Sequence, residues 1–114
     1  EGHLWVSAHT VLSSLEGLHH VDSVAGDVRI GDNAALVDLQ GLRQLGDVGG
    51  TLHVGNNAAL RSLEGLERLA SVGGRIMLIV EKNPLLPTAE AEFLGAQLKD
   101  AGLEGSVLIA DNLP

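Results

Sequence analysis

The sequence has no cysteine and no tyrosine, and its 114 residues include only one tryptophan, Trp5, and one phenylalanine, Phe93. The absence of cysteine excludes disulfides, thiolate metal ligands and cysteine nucleophiles. With two aromatic rings, the core must be built from Leu, Val, Ile and Ala, within an apolar fraction of 45%. The same scarcity argues against a stacking site for sugars or for single-stranded nucleic acid.

Basic residues are also few: seven Lys and Arg face 15 Asp and Glu, giving a net charge of −8. An acidic protein is repelled by phosphate backbones, so sequence-independent nucleic-acid binding is disfavoured. No apolar run approaches the ~20 residues of a membrane span. The length predicts a single domain over residues 1–114.

An internal repeat runs through the chain. Asn-Ala-Ala-Leu at 33–36 recurs at 57–60, a shift of 24, and a third Asn-x-x-Leu at 83–86 comes two residues late. This delay predicts an insertion or bulge within 75–82. The repeats then span about 2–25, 26–49, 50–73 and 74–86. The same shift aligns further columns, among them Leu15, Leu39 and Leu63, Gly17, Gly41 and Gly65, and Val24, Val48 and Val72.

Each repeat contains a short alternation of apolar and variable residues, which predicts a strand. The strands should stack in parallel about 4.8 Å apart. Since one repeat cannot bury its own apolar side, stacked repeats would share a core. The pattern therefore predicts a β-solenoid of 24-residue turns. The expected inward residues are Leu4, Val6, Val28, Ile30, Leu52, Val54, Val107 and Ile109.

The segment after the last repeat reads as a capping helix followed by one more strand. We expect the helix at about 88–101, with Thr88 as its N-cap, and the strand at about 105–110. Gly102 should end the helix. The expected apolar stripe of the helix is Phe93, Leu94 and Leu98.

Asparagine recurs at one position of the repeat and predicts a structural ladder. An inward asparagine can bond the backbone of the next turn and satisfy buried amides. The members of the expected ladder are Asn33, Asn57, Asn83 and Asn112.

The repeat at 60–76, which reads L-x-S-L-E-G-L-x-x-L-x-S-V-G-G-x-I, resembles the receptor L-domain repeat. The resemblance covers residues 2–86, and the tail from 83 is similar to the ending of bacterial cell-surface members. It implies a right-handed, leucine-rich-repeat-like β-solenoid. The family shares a fold and no chemistry, so the resemblance implies binding or scaffolding without a cofactor. It also implies an extracellular or cell-envelope location, with any signal or anchor outside this segment.

No catalytic motif is present: there is no Gly-x-Ser-x-Gly elbow, phosphate loop or His-Glu-x-x-His. We therefore expect no enzyme. Two metal interpretations compete with simpler ones, and no metal is expected. Asp27, Asp32 and Asn33 could bind calcium or cap loops. The histidines could bind zinc or be solvated surface residues; they are His3, His9, His19, His20 and His53.

The outward strand positions offer a mixed aromatic and basic row. Trp5, Arg29 and His53 should lie side by side, flanked by Asp27 and Arg75. Tryptophan beside arginine is the composition of an interface hot spot, and the two can form a cation–π pair. This face is therefore the expected binding site for a protein partner. Alternatively, Trp5 only shields the aliphatic stem of Arg29.

A second hypothesis is structural. An open N-terminal edge strand could pair with another copy, so that the domain assembles through its ends into a homo-oligomer.

Overall fold

The computed structural model describes residues 4–7, 20–73, 76–102 and 105–112. All pairings in its two sheets are parallel, and the strand orders are β1-β3-β5-β7-β8 and β2-β4-β6. The strands are β1 Leu4–Ser7, β2 Ser23–Val24, β3 Val28–Gly31, β4 Asp47–Val48, β5 Leu52–Gly55, β6 Ser71–Val72, β7 Ile76–Glu81 and β8 Ser106–Ala110. One α-helix, α1, spans Thr88–Asp100, and a short 3₁₀ helix spans Gln40–Leu42.

The five-stranded sheet keeps the register of the sequence repeat. Leu4 pairs with Val28, and Val28 pairs with Leu52, so each partner occupies the same position of the next repeat. The next partner, Leu78, lies two positions later than the constant shift of the repeat would place it. The parallel pairing and the two extra residues expected in the fourth repeat are therefore both confirmed.

The register changes again between β7 and β8. Ile76 pairs with Ser106, whereas Leu78 pairs with Val107, so β7 has one more residue than β8 over this stretch. Such a mismatch is a β-bulge, which places an unpaired residue in one of the two strands.

The alternation within the strands places one side of each in the core. Val28, Ile30, Leu52 and Val54 are fully buried. On the two outer strands, Leu4, Val107 and Ile109 are partly buried and pack against the same core. Burial of each large aliphatic side chain contributes about 1.5–3 kcal/mol.

The predicted fold class, a right-handed β-solenoid closed by a capping helix, is wrong: the described residues form a compact α/β fold with two parallel sheets and one helix. Two features of the packing account for the difference. The segments Ser23–Val24, Asp47–Val48 and Ser71–Val72, for which the sequence predicted no strand, pair as the second sheet. Ala91, Leu94 and Leu98 of α1 are buried in the same hydrophobic cluster as the strands, so the helix is a layer of the fold.

Two details of the predicted helix are also wrong. Thr88 is its first residue, and the N-cap position belongs to Pro87, which makes no side-chain capping bond. Phe93 is 74% exposed, because the buried face consists of Ala91, Leu94, Gly95 and Leu98. Gly102 follows the helix with a φ of 96° and donates its N–H to the Lys99 carbonyl oxygen, as expected of a terminating glycine.

Among the described residues, no helix combines the length and the apolar character needed to cross a membrane.

Candidate functional site

The outward row of the five-stranded sheet crosses all five strands. The register places Trp5 beside Arg29, Arg29 beside His53, His53 beside Ile79 and Ile79 beside Leu108. The side chains at its two ends are large and exposed, at 63% for Trp5 and 46% for Leu108. Arg29 is exposed, whereas His53 and Ile79 are half-buried. We call these five residues the outward row.

A second row, which contains two glycines, lies two positions further along the strands. Gly31 pairs with Gly55, and Gly55 pairs with Glu81. Because successive side chains alternate between faces, these residues share the face of the outward row. The two glycines therefore leave a shallow groove beside Arg29 and His53.

The groove contains two adjoining depressions. The larger, of about 220 Å³, is lined by Trp5, Arg29, Gly31 and Asp32. The smaller, of about 40 Å³, shares Arg29, Gly31 and Asp32 with it and extends along His53 to Gly55 and Asn56. An aromatic ring, a guanidinium and a carboxylate therefore converge on one glycine-floored surface.

The far wall of the groove includes two residues in the left-handed backbone conformation, Asp32 and Asn56. Asp32 and Asn56 have φ values of 58° and 59°, and Lys82 and Asp111 follow at 57° and 59°. Asp and Asn adopt this conformation more readily than most residues, because their short polar side chains bond locally. Each of these residues directly precedes an asparagine of the ladder.

The asparagine ladder holds this wall in place. Asn33, Asn57 and Asn83 are fully buried. The main-chain N–H of Asn33 donates to Asn57 Oδ1 at 3.2 Å, and that of Asn83 donates to Asn112 Oδ1 at 3.1 Å. Asn83 Nδ2 and Asn112 Nδ2 donate to the carbonyl oxygens of Val54 and Val80. The side chains of Asn57, Asn83 and Asn112 therefore bond the backbone of the fold, and Asn33 donates to the Asn57 side chain.

His53 and Glu81 form a pair at the end of the glycine row. His53 Nε2 lies 3.2 Å from Glu81 Oε2, and both side chains are half-buried. Since Glu81 pairs with Gly55 in the sheet, this contact lies across β5 and β7. It fixes the imidazole on the face and bounds the groove on that side.

Of the two residues predicted to flank the row, only Asp27 lies in the described part of the chain. Asp27 Oδ1 accepts the main-chain N–H of Thr51 at 2.9 Å, so its carboxylate ties the start of β3 to the start of β5. Arg75 lies outside the described residues. The structure thus brings together Trp5, Arg29 and His53, and gives Asp27 a contact within the fold.

The candidate metal ligands do not converge in the described part of the chain, which contains no group of three or more His, Asp or Glu able to hold an ion. Asp32 is exposed on the groove wall, whereas the neighbouring Asn33 is buried in the ladder. His20 is exposed. His3, His9 and His19 lie outside the described residues.

Sequence reasoning missed two parts of the site. Ile79 belongs to the outward row, but the insertion in the fourth repeat hid its alignment with His53. Gly31 and Gly55 form the groove floor, and their recurrence at the period of the repeat was the available signal.

Comparisons with family models, curated proteins and solved structures found no match for this chain.

Proposed function

We propose that this protein is a non-enzymatic recognition module that binds a protein partner through the outward face of its five-stranded sheet. The observation that supports this most directly is the outward row, in which exposed Trp5 and Leu108 flank Arg29, His53 and Ile79 beside a glycine-floored groove. Tryptophan and arginine are the residues that most often dominate the binding energy of protein interfaces.

The dimensions of the face suit a protein surface. Four spacings of about 4.8 Å separate β1 from β8, so the row is roughly 19 Å long. The depression beside Trp5, at about 220 Å³, is smaller than the ~300–1,000 Å³ of common small-molecule pockets. A side chain or a loop of a partner fits such a surface better than an enclosed ligand.

The same proposal includes the cellular setting. The resemblance of residues 60–76 to receptor L-domain repeats, including those of bacterial surface proteins, supports an extracellular or cell-envelope location. It also supports recognition without catalysis or a cofactor, because that family shares no chemistry.

The test is a partner search followed by an affinity measurement. The protein would be photo-crosslinked to a bacterial cell-surface protein fraction, and the captured partner would be purified for calorimetry. The variant Trp5→Ala/Arg29→Ala should bind this partner at least about 100-fold more weakly, as expected for two hot-spot residues. Val37→Ala, which truncates an exposed residue outside the sheets, is the matched control.

The far-UV circular dichroism of both variants should equal that of the wild type. If the double variant binds with unchanged affinity, the outward row is not the binding site.

A second candidate function is self-assembly, and the sheet order favours it specifically. β1 and β8 are the two outer strands, and all pairings are parallel. The β8 edge of one copy could therefore continue the sheet against the β1 edge of another in the same sense. Exposed strand edges are templates for such pairing.

A proline on the outer edge tests this candidate. The N–H of Leu4 donates to the carbonyl oxygen of Asp27, the residue directly before β3. Because bonding directions alternate along a strand, the N–H of Ser7 points away from β3. Ser7→Pro should abolish a concentration-dependent rise in mass, measured by light scattering, without changing the circular dichroism. A single mass near 11.8 kDa for the wild type at all concentrations would contradict self-assembly.

A further inference from the structure

We propose that the groove between α1 and residues 63–67 binds a cationic amphipathic segment of a partner protein. We call it the Phe93 groove. It lies on α1 rather than on the outward face of the sheet, and it does not depend on the function proposed above.

Phe93 is the most exposed of the large apolar residues that the structure describes, at 74%. Its exposure follows from helix geometry. Ala91, Leu94 and Leu98 recur at helical spacing on the buried face, and Phe93 lies about 100° around the helix from Leu94. Phe93 lines the groove together with Leu63, Leu66 and Leu94, so its ring adds exposed apolar surface to the groove.

The groove beside Phe93 has an apolar floor. Its volume is about 220 Å³, and Leu63, Leu66 and Leu94 lie beneath it. These three leucines are almost fully buried, which keeps the floor fixed. The volume is below that of common small-molecule pockets but accommodates one large side chain.

Hydrogen bonds hold the two walls at a fixed separation. Glu90 Oε1 of α1 accepts the main-chain N–H of Leu63 at 3.1 Å. About two helical turns further along, Gln97 Nε2 donates to the carbonyl oxygens of Leu66 and Leu69 at 3.0 and 2.9 Å. A groove fixed in this way loses little entropy when it is occupied.

The charge around the groove selects the occupant. Three of its eight described lining residues are glutamates, Glu64, Glu67 and Glu90, and none is Lys or Arg. Glu64 Oε1 accepts a hydrogen bond from Gln40 Nε2, and Glu67 Oε1 accepts the N–H of Gly65. These contacts orient the carboxylates around the apolar floor. The complementary ligand presents one large apolar side chain with Lys or Arg nearby.

Such a ligand is most simply a basic amphipathic helix or turn. On a helix, residues three or four apart are neighbours, so an apolar anchor and a cation can reach the floor and the rim together. Docking of an apolar helix face into a groove is a recurring mode of peptide recognition. Complementary charge also accelerates association with an acidic protein.

The test uses a fluorescein-labelled peptide of leucines and lysines at amphipathic helical spacing. A peptide in which every lysine is replaced by glutamate is the matched ligand control. Fluorescence anisotropy at moderate salt should show saturable binding of the lysine peptide only. Amide chemical shifts of the protein should move at Leu63, Gly65 and Leu94.

Two variants of the groove should weaken this binding about tenfold or more, which is the effect of removing one interface hot spot. Phe93→Ala removes the exposed ring. Glu64→Gln/Glu67→Gln removes two charges while keeping oxygen atoms that accept the same hydrogen bonds. Trp5→Ala, on the outward face of the sheet, should leave binding unchanged, so failure here is distinguishable from failure of the sheet-face proposal.

The proposal is overturned if the lysine peptide does not bind saturably, or if the glutamate peptide binds equally well. It is also overturned if Phe93→Ala binds like the wild type. If Phe93→Ala instead removes self-association of the protein, the occupant is a second copy and the proposed cationic partner is wrong.

Discussion

The side-chain oxygen of Asn83 accepts two hydrogen bonds from Asn57, one from its main-chain N–H and one from its carboxamide, each at 3.1 Å. Asn57 Nδ2 also donates to the carbonyl oxygen of Ile30 at 3.0 Å. Both asparagines are fully buried. The side chain of Asn57 therefore joins Ile30 of β3 to Asn83, which follows β7.

Asn57→Ala should be among the most destabilising substitutions in this protein. It removes the oxygen that accepts two hydrogen bonds from Asn33. It also removes the amide that donates to the buried carbonyl oxygen of Ile30 and to Asn83. The Asn57 side chain makes four hydrogen bonds, each worth about 0.5–1.5 kcal/mol, so the loss should be about 2–6 kcal/mol. Urea denaturation measures it. Ala58→Ser, at the exposed neighbouring residue, should change stability by less than about 0.5 kcal/mol. A small effect of Asn57→Ala would show that water replaces the ladder.

Alanine substitutions at Gly65 and Gly102 distinguish the cost of backbone strain from the cost of a steric collision. Both have positive φ, at 117° and 96°. A Cβ at Gly65 would collide with the carbonyl of Leu39, whereas nothing lies within 4 Å of one at Gly102. Gly102→Ala should therefore cost about 1 kcal/mol, and Gly65→Ala about 2 kcal/mol more. Thermal unfolding of the two variants gives the difference, and equal costs would contradict the collision.

Lys82 occupies the left-handed position that Asp32, Asn56 and Asp111 occupy elsewhere. Lysine has no short side chain to support this conformation, so Lys82→Asn should stabilise the protein by about 0.5–1 kcal/mol. The reciprocal variant, Asn56→Lys, should destabilise it by a similar amount. Chemical denaturation of both variants checks the sign. Destabilisation by Lys82→Asn would mean that the lysine side chain contributes more than its backbone costs.

Gly95 lies within α1, where glycine is unfavourable. A Cβ there would meet Val107 Cγ1 at 3.5 Å, which is an ordinary van der Waals distance. Gly95→Ala should therefore stabilise the protein by about 0.5–1 kcal/mol. Ala96→Gly, at the exposed next residue, is the matched control and should cost a similar amount. If Gly95→Ala destabilises, α1 and β8 pack too closely for a methyl group.

The parallel five-stranded sheet could be predicted because its signal is strong. The alternation at Val28, Ile30, Leu52 and Val54 recurs at a constant shift, and the buried side chains follow it. The late asparagine at Asn83 likewise indicated the extra residues of β7. In both cases one physical cause, burial of one side of a strand, acts at every repeat.

The fold class could not be predicted because the segments that form the second sheet are very short. Val48 pairs with Val24 and Val72 to form the second sheet, but two-residue strands contain no periodicity. In α1, Phe93 and Leu94 are adjacent apolar residues, and Leu94 shares the buried face with Ala91 and Leu98 while Phe93 is exposed. Thr88 resembles an N-cap, yet the chain enters the helix one residue earlier, at Pro87.

The candidate site was partly accessible from the sequence. Trp5, Arg29 and His53 are related by the repeat, and the sheet register brings them together. The Phe93 groove was not accessible, because it depends on hydrogen bonds that Glu90 and Gln97 make with main-chain groups far away in the sequence. Such bonds leave no pattern of residue types.

The spacing of the asparagine ladder has a consequence for folding kinetics. Its bonds join residues 24, 26 and 29 positions apart. The entropic cost of closing a loop rises only with the logarithm of its length, so every rung forms at nearly the same cost. Pairing can therefore begin at any neighbouring pair of strands and extend in either direction. We expect refolding to accelerate little, if at all, when a single outer pairing is crosslinked, because no one contact sets the rate.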